Sequence, residues 1–267
     1  LKQTTAPADS VRAPVRLIAL DLDGTALGRD ELHAWLEDGL VEVLNGLAAR
    51  GIDWCTNSGR NHSNQIGIIH ACRPLLHMPV AVLGGERFIH WLRPKFAPHQ
   101  PFNSVMQRKM DGLHPQVIAA LAPHRERFRA TYEFNHEQDV DGVVGWNLVD
   151  SARTPVFEAE LKSIVSGIAE AQVLRNNDWI IVTHRDAGKG VILAETARHL
   201  GIPRESVLAI GDHHNDLDML DGRAAGHVGC PGDSDELVKT AVRAAGGIVS
   251  DLPHALGTAD IIKRLTL

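Results

Sequence analysis

Two carboxylates separated by one residue, Asp21 and Asp23, close the apolar run in Ile18-Ala-Leu-Asp-Leu-Asp-Gly-Thr25. Strand residues alternate sides, so both would point the same way from the end of that strand. Like charges that close are unfavourable unless a cation or a shared proton compensates them. Three further clusters carry matching chemistry. Ser58-Gly59-Arg60 offers a hydroxyl and a Gly at an expected helix start, where free backbone N–H groups favour a phosphate. Gly188-Lys189-Gly190 puts an ammonium at the start of another helix, and Gly211-Asp212-His213-His214-Asn215-Asp216 is an acidic loop directly after an apolar strand. Together they supply a nucleophile, carboxylates for a hard cation, a hydroxyl and an ammonium. Phosphoryl transfer needs that set, for in-line attack and for neutralising charge on the equatorial oxygens.

Each cluster taken alone has a plainer reading. Asp21 and Asp23 could mark a strand-end turn, Ser58-Gly59 a helix N-cap, Lys189 a solvated helix residue, and Asp212 and Asp216 capping and turn residues. Thr56, two residues before Ser58 on the same side of the strand, is a rival hydroxyl. Fifteen histidines invite a zinc hypothesis, but no HxxxH or HExxH pair occurs, so His213 and His214 read as loop residues rather than ligands.

The elements that must position these clusters follow from periodicity. Val15–Leu20 reads as a short buried strand. A helix is expected over Asp30–Arg50, with Leu32, Leu36, Leu40, Val43, Leu44 and Leu47 on one face and Gly51 as its stop. Ile52–Cys55 is a second strand ending in Thr56-Asn-Ser-Gly-Arg60. A helix through Ile66, Ile69 and Cys72 closes before Pro74, and a third strand, Pro79–Leu83, breaks at Gly84-Gly85. This alternation predicts a parallel sheet with crossover helices. The rhythm returns in helix Lys189–Leu200, strand Val207–Ile210, helix Leu217–Asp221 and strand Gly226–Gly229. A capping box at Asp233-Ser-Asp-Glu236 then opens a helix to Ala245, before strand Ile248–Ser250. Between the halves, residues 87–183 change texture, with most of the aromatics, several prolines and strands Asp141–Val149 and Gln172–Thr183 flanking one helix, Pro155–Glu170. We read an inserted α+β module there, with Trp91, Trp146 and Trp179 packing its core or one of them lining a cleft.

Composition narrows the partners. A net charge of −6 argues against a polyanionic partner such as nucleic acid, and the basic run His124–Arg129 reads as a solvated face. Cys55, Cys72 and Cys230 are widely spaced with no CxxC pair, so neither a disulfide framework nor a thiolate metal site is suggested, and a reducing cytoplasmic compartment is expected. No apolar stretch has transmembrane length and no signal peptide is evident, so no membrane association is expected. Residues 1–14 read as a flexible tail.

The order DxDGT, SGR, a Lys opening a helix and GDxxND followed by Met219-Leu220 resembles the haloacid dehalogenase superfamily of phosphatases. The late Lys189 and the long insertion before it resemble its Cof-like branch, which also holds sugar-phosphate phosphatases. The resemblance covers both halves of the sheet domain. It implies an α/β fold with a doubly wound parallel-sheet, Rossmann-like core (residues 15–86 and 184–267) and an inserted α+β cap (residues 87–183). It makes Asp21 the nucleophile that becomes an aspartyl phosphate and Asp23 the acid/base. Ser58 and Lys189 would hold the transferring group, with Gly59, Arg60 and Asn215 as further phosphate or substrate contacts and Arg175 as a weaker one. Mg²⁺ would sit on Asp21, the Asp23 carbonyl and Asp212, with Asp216 reaching it directly or through water. All-oxygen, carboxylate-rich ligation suits that ion. The expected activity is hydrolysis of a small phosphorylated metabolite, a sugar or polyol phosphate. The alternatives are a phosphomutase or phosphotransferase sharing the intermediate, and a non-catalytic phospho-ligand-binding protein. Three departures stand out: Ser58 for the usual Thr, Gly84-Gly85-Glu86 for the usual Asn-Gly, and the His213-His214 pair.

Overall fold

The computed structural model describes residues 13–29, 34–72 and 74–266. Along the first part of the chain come β1 (Leu17–Leu20), β2 (Leu27–Arg29), β3 (Ala34–Leu36), α1 (Asp38–Leu47), β4 (Asp53–Ser58), α2 (His62–Ala71), β5 (Ala81–Gly84), β6 (Phe88–Trp91) and β7 (Ala97–Pro98). A middle stretch holds α3 (Phe102–Leu121), α4 (Arg125–Thr131), β8 (Phe134–Val140), β9 (Val143–Leu148), α5 (Thr154–Val165), β10 (Ala171–Asn176) and β11 (Trp179–His184). The chain ends with α6 (Lys189–His199), β12 (Val207–Ile210), α7 (Leu217–Leu220), β13 (His227–Cys230), α8 (Glu236–Ala244), β14 (Ile248–Val249) and α9 (His254–Thr266).

Eight strands form one sheet in the order β14-β13-β12-β1-β4-β5-β6-β7. It is parallel from β14 to β5, and β6 and β7 add antiparallel at the edge. The central strands β1 and β12 are apolar throughout because both faces are covered. On β1, Ile18 and Leu20 enter the cluster shared with Leu40 and Leu44 of α1 and Ile261 of α9. Leu17 and Ala19 enter the opposite cluster, with Ile192 of α6, Met219 of α7 and Val238 of α8. The α/β, doubly wound architecture expected from the sequence is the one observed.

A second sheet, antiparallel in the order β10-β11-β9-β8, packs one face on α3 and α5. Its aromatic centre is Phe157, with Phe128 and Trp146 edge-on to it at 5.0 and 5.4 Å between ring centroids. Truncating such a wholly buried ring typically costs about 3–5 kcal/mol.

Several sequence expectations need correction. The helix expected from Asp30 begins at Asp38, and Leu36 instead pairs with Leu27 in a two-stranded ribbon, both buried in the core. Leu32 lies outside the described residues. The second strand runs on through Thr56 and Asn57 to Ser58, where Thr56 Oγ1 donates to Gln65 Oε1 and Asn57 Nδ2 to the Lys189 carbonyl in the interior. Residues 88–98 belong to the large sheet, so we propose that the insertion comprises α3 through β11 rather than starting at residue 87. Trp91 accordingly packs on the sheet domain, against His99 and His199, and not in the inserted core. The twenty-residue α3 went unread because Gly112 and Pro115 interrupt its pattern. The capping box at Asp233–Glu236 is not formed: Asp235 stands at the N-cap without a side-chain cap bond, and Asp233 accepts the His254 N–H. Among the described residues no helix is long and apolar enough to cross a membrane.

Candidate active site

Parallel pairing brings the chemical clusters to one edge. Leu20 is in register with Ile210 on one side and Thr56 on the other, and Ser58 with Gly84. The segments leaving β1, β4, β5 and β12 therefore emerge together at the carboxyl ends of the strands, where open α/β sheets bind ligands. The Asp21 N–H donates to the Ile210 carbonyl at 2.9 Å and so extends the ladder by one residue. Two glycines let the segments close up. At Gly24, in a left-handed conformation (φ 80°), a Cβ would lie 2.2 Å from Asp212 Oδ2, and at Gly211 one would lie 2.4 Å from Asp216 Cγ.

Lys189, wholly buried at the first turn of α6, is the hub. Its Nζ donates to Asp21 Oδ1 at 2.5 Å and to Asp216 Oδ1 at 2.6 Å. Burial pulls the ammonium down, but Asp21, Asp216 and Glu86 outweigh it and hold Lys189 above its ordinary value. For Asp21 the balance is reversed: burial raises its carboxyl well above the usual range, Lys189 opposes that, and Asp216 and Asp212 add to it. Asp212 is pushed up to about 6, by burial first and Asp216 second, although Thr25 Oγ1 donates to its Oδ1 at 2.7 Å. Asp216 uses its other oxygen, Oδ2, to accept the backbone N–H groups of Asp212 and His213, both at 2.9 Å.

Asp21, Asp212 and Asp216 present oxygens all within 4.8 Å of one another. One ammonium against three carboxylates leaves excess negative charge, and the donors are all hard oxygens. Such a set fits Mg²⁺, which favours carboxylate oxygens and would offset the repulsion that raises Asp21 and Asp212. Both Asp216 oxygens already have partners, so Asp21 and Asp212 are the freer ligands.

Asp23 stands apart from this cluster. Arg60 clamps it with Nε to Oδ2 at 2.7 Å and Nη2 to Oδ1 at 2.6 Å. The hydrogen bond to Asp23 raises the guanidinium above its ordinary value against the effect of burial. Ser58 is buried at the end of β4 and not at a helix start; Asn61 caps α2, accepting the Asn64 N–H at 2.9 Å. Ser58 Oγ accepts the Arg60 N–H at 3.2 Å, which leaves its hydrogen to donate, whereas Thr56 Oγ1 is committed inward to Gln65 at 2.5 Å. Gly59 lies against Glu86, since a Cβ there would be 3.6 Å from Glu86 Oε1.

Asn215 Nδ2 donates to Glu86 Oε1 at 2.8 Å, while Glu86 Oε2 and Asn215 Oδ1 are buried without hydrogen-bond partners. Burial raises the Glu86 carboxyl above its ordinary range, with Lys189 and Asn215 opposing. Glu86, Thr25, Asn57 and Asp218 were not singled out as site residues from the sequence. Asp218 Oδ2 accepts the Gly190 N–H at 2.8 Å, and burial pushes its carboxyl up to about 7. Thr25 lies inside the motif Asp21-Leu-Asp-Gly-Thr25, and Glu86 follows the Gly84-Gly85 strand end.

A cavity of about 790 Å³ opens beside these groups. Asp23, Arg60, Glu86 and Arg87 line it from the large sheet, and Asn147, Arg175 and Trp179 from the small one. Trp179 is thus the tryptophan at the cleft, and Trp146 the one in the inserted core.

Comparison with known proteins finds similar hydrolases. Residues 119–247 match the haloacid dehalogenase-like hydrolase family. A phosphoglycolate phosphatase of Aeropyrum pernix is 28% identical over 265 residues, covering 94% of this chain and 93% of the relative. The 5-amino-6-(5-phospho-D-ribitylamino)uracil phosphatase YitU of Bacillus subtilis is 24% identical over 238 residues, covering 79% of this chain and 84% of the relative. The fold is shared with the sucrose-phosphatase of Synechocystis, solved with sucrose and phosphate, at a TM-score of 0.68, 14% identity and coverage of 95% and 98%. The α/β sheet with its carboxylates, lysine and acidic loop at one edge is thus similar to haloacid dehalogenase-like hydrolases, and its relatives are phosphatases.

Proposed function

We propose that this phosphoric monoester hydrolase is a Mg²⁺-dependent phosphatase of a small phosphorylated metabolite, working through an aspartyl phosphate on Asp21. The observation that carries the reading is the buried Asp21–Lys189–Asp216 bridge beside Asp212 at the sheet edge. It supports a carboxylate nucleophile in a site built to hold additional positive charge.

In this reading Lys189 and the Ser58 hydroxyl hold the transferring phosphoryl group in line with an Asp21 oxygen. Asp21 attacks phosphorus, the bond to the substrate oxygen breaks, and Asp23 gives its proton to the departing alkoxide. Water then attacks the aspartyl phosphate, Asp23 takes up the proton, and Asp21 is regenerated as inorganic phosphate leaves. Splitting the displacement in two makes each step easier. Asp21 and Asp212 would hold Mg²⁺, which supplies neutralisation of the charge on nucleophile and phosphoryl oxygens. Arg60 has to release Asp23 before Asp23 can act, and an anionic substrate entering the cleft is the natural competitor for its guanidinium.

The cavity supports a polyhydroxylated leaving group. Gln138, Asn147, Asn176 and Asn177 line it, and amides that both donate and accept suit hydroxyls. We therefore favour a sugar or polyol phosphate. The compartment we propose is the cytoplasm, where Cys55, Cys72 and Cys230, all buried free thiols, would stay reduced. Phosphate release measured across a panel of phosphorylated sugars, polyols and short acids, with and without Mg²⁺, tests the reading. Mg²⁺-dependent release, fastest from the polyhydroxylated members, is expected; no release from any member would refute it.

A further inference from the structure

The loop that carries Asp212 and Asp216 also carries two imidazoles, and the start of α8 brings a carboxylate to both. His213 Nδ1 lies 2.7 Å and His214 Nδ1 2.8 Å from the same atom, Asp235 Oδ2. The two rings stand edge to face, 5.2 Å between centroids. Neither close approach is a hydrogen bond: His214 Nδ1 and Asp235 Oδ2 are both buried without a hydrogen-bond partner. The His213 side chain accepts the Asp216 N–H, so the nitrogen it uses carries no proton to offer Asp235. Three groups able to donate electron pairs therefore converge with no hydrogen bond joining them. A shared cation is the ordinary way to relieve that arrangement. The Asp216 amide also donates to the His213 carbonyl at 3.0 Å, so releasing the ring nitrogen to an ion would not orphan it.

We propose that His213, His214 and Asp235 form a second metal site, nitrogen-rich and separate from the carboxylate cluster, for a borderline divalent ion of the Zn²⁺ type. Two imidazoles and one carboxylate suit Zn²⁺ or Co²⁺ and not Mg²⁺, which prefers oxygen throughout. Backbone order supports the site: the Asp235 N–H donates to the Asp212 carbonyl at 3.1 Å and fixes the start of α8 on the loop. The remaining coordination positions would face a cavity of about 360 Å³ whose opposite wall is the inserted sheet. That wall and the start of α8 add two carboxylates, Asp178 and Glu236, against one cation, Arg175. An ion held here would sit at the seam between the catalytic loop and the inserted sheet. No spacing rule finds this site, because two ligands are adjacent and the third comes from another element.

The test is zinc retention by the full chain after dialysis against saturating Mg²⁺, with Co²⁺ absorption as a spectroscopic check on nitrogen ligation. The wild-type chain should retain a single Zn²⁺. Asp235→Asn and His214→Gln should each weaken that binding by at least about tenfold, the loss that even outer-shell partners of a metal typically incur. Asp21→Asn, which removes a carboxylate of the catalytic cluster, should retain the zinc. Failure of the wild type to retain zinc would overturn the proposal, as would equal retention in the two variants or loss of the ion in Asp21→Asn. Either variant decides the question if the other does not fold.

Discussion

Arg60 holds Asp23 by both carboxylate oxygens, at 2.6 and 2.7 Å, across 37 positions of sequence. Charge-assisted bidentate pairs of this kind are among the stronger side-chain contacts. A carboxyl gripped at both oxygens has neither free to hand a proton to a leaving group. In the proposed reaction the pair would be a latch that the substrate has to open. Arg60→Met should weaken substrate binding about tenfold in KM while kcat falls less, measured by steady-state kinetics on the best substrate of the panel. A fall confined to kcat would mean that Arg60 serves the chemical step instead.

Lys189 bridges two carboxylates that are otherwise inside the protein. Removing one partner from a buried ion pair typically costs about 3–5 kcal/mol, because the remaining charge is left uncompensated. Lys189→Met should therefore lower the melting temperature strongly in EDTA and less in Mg²⁺, since the ion can balance Asp21. An equal drop in both conditions would place the metal away from Asp21. Activity should be lost in either case.

Asp212, pushed up to about 6 by burial and by Asp216, must lose its proton to ligate a metal. Below that value Mg²⁺ competes with the proton, and above it does not. The Mg²⁺ concentration for half-maximal activation should rise steeply as pH falls below about 6 and stay flat above it. A flat dependence across that range would remove Asp212 from the inner ligands.

Much of this site was legible in the sequence for one physical reason. In a parallel sheet, short apolar strands deliver whatever follows them to a common edge. Asp21, Ser58 and Asp212 could thus be grouped without knowing a single distance, whereas Lys189 follows the antiparallel β11 and joins them only by its motif at the start of α6. What stayed hidden depended on side-chain partners from other elements. Nothing in Ser58-Gly59-Arg60 says that Arg60 turns back to Asp23, or that Thr56 spends its hydroxyl on Gln65. Glu86 was passed over as a departure from the usual Asn, yet it ties β5 to the acidic loop through Asn215 and to α6 through the Gly188 N–H. The long α3 was obscured because Pro115 and Gly112 sit in it, while its packing face (Met106, Met110, Leu113, Val117, Leu121) carries it through both.

His90, on β6, stacks on His62 at 4.0 Å between centroids, and burial first and His62 second hold it down to about 4. An unfolded chain takes up that proton near pH 6.5. Between those values the unfolded state binds more protons than the folded one, so this group's contribution to stability is full above about 6.5 and is lost as pH falls toward 4. Thermal melts should show His90→Gln flattening the acid side of the stability curve relative to wild type. An identical acid slope in both chains would assign the loss to other groups.

In the proposed reaction Asp21 carries the phosphoryl group between substrate and water. Acid-quenched turnover with a labelled substrate, followed by peptide mapping of the trapped protein, measures this directly. The label should appear on Asp21 during turnover of the wild type, and Asp21→Asn should show neither label nor phosphate release. Turnover that continues in Asp21→Asn, or label found on a different residue, would contradict the account.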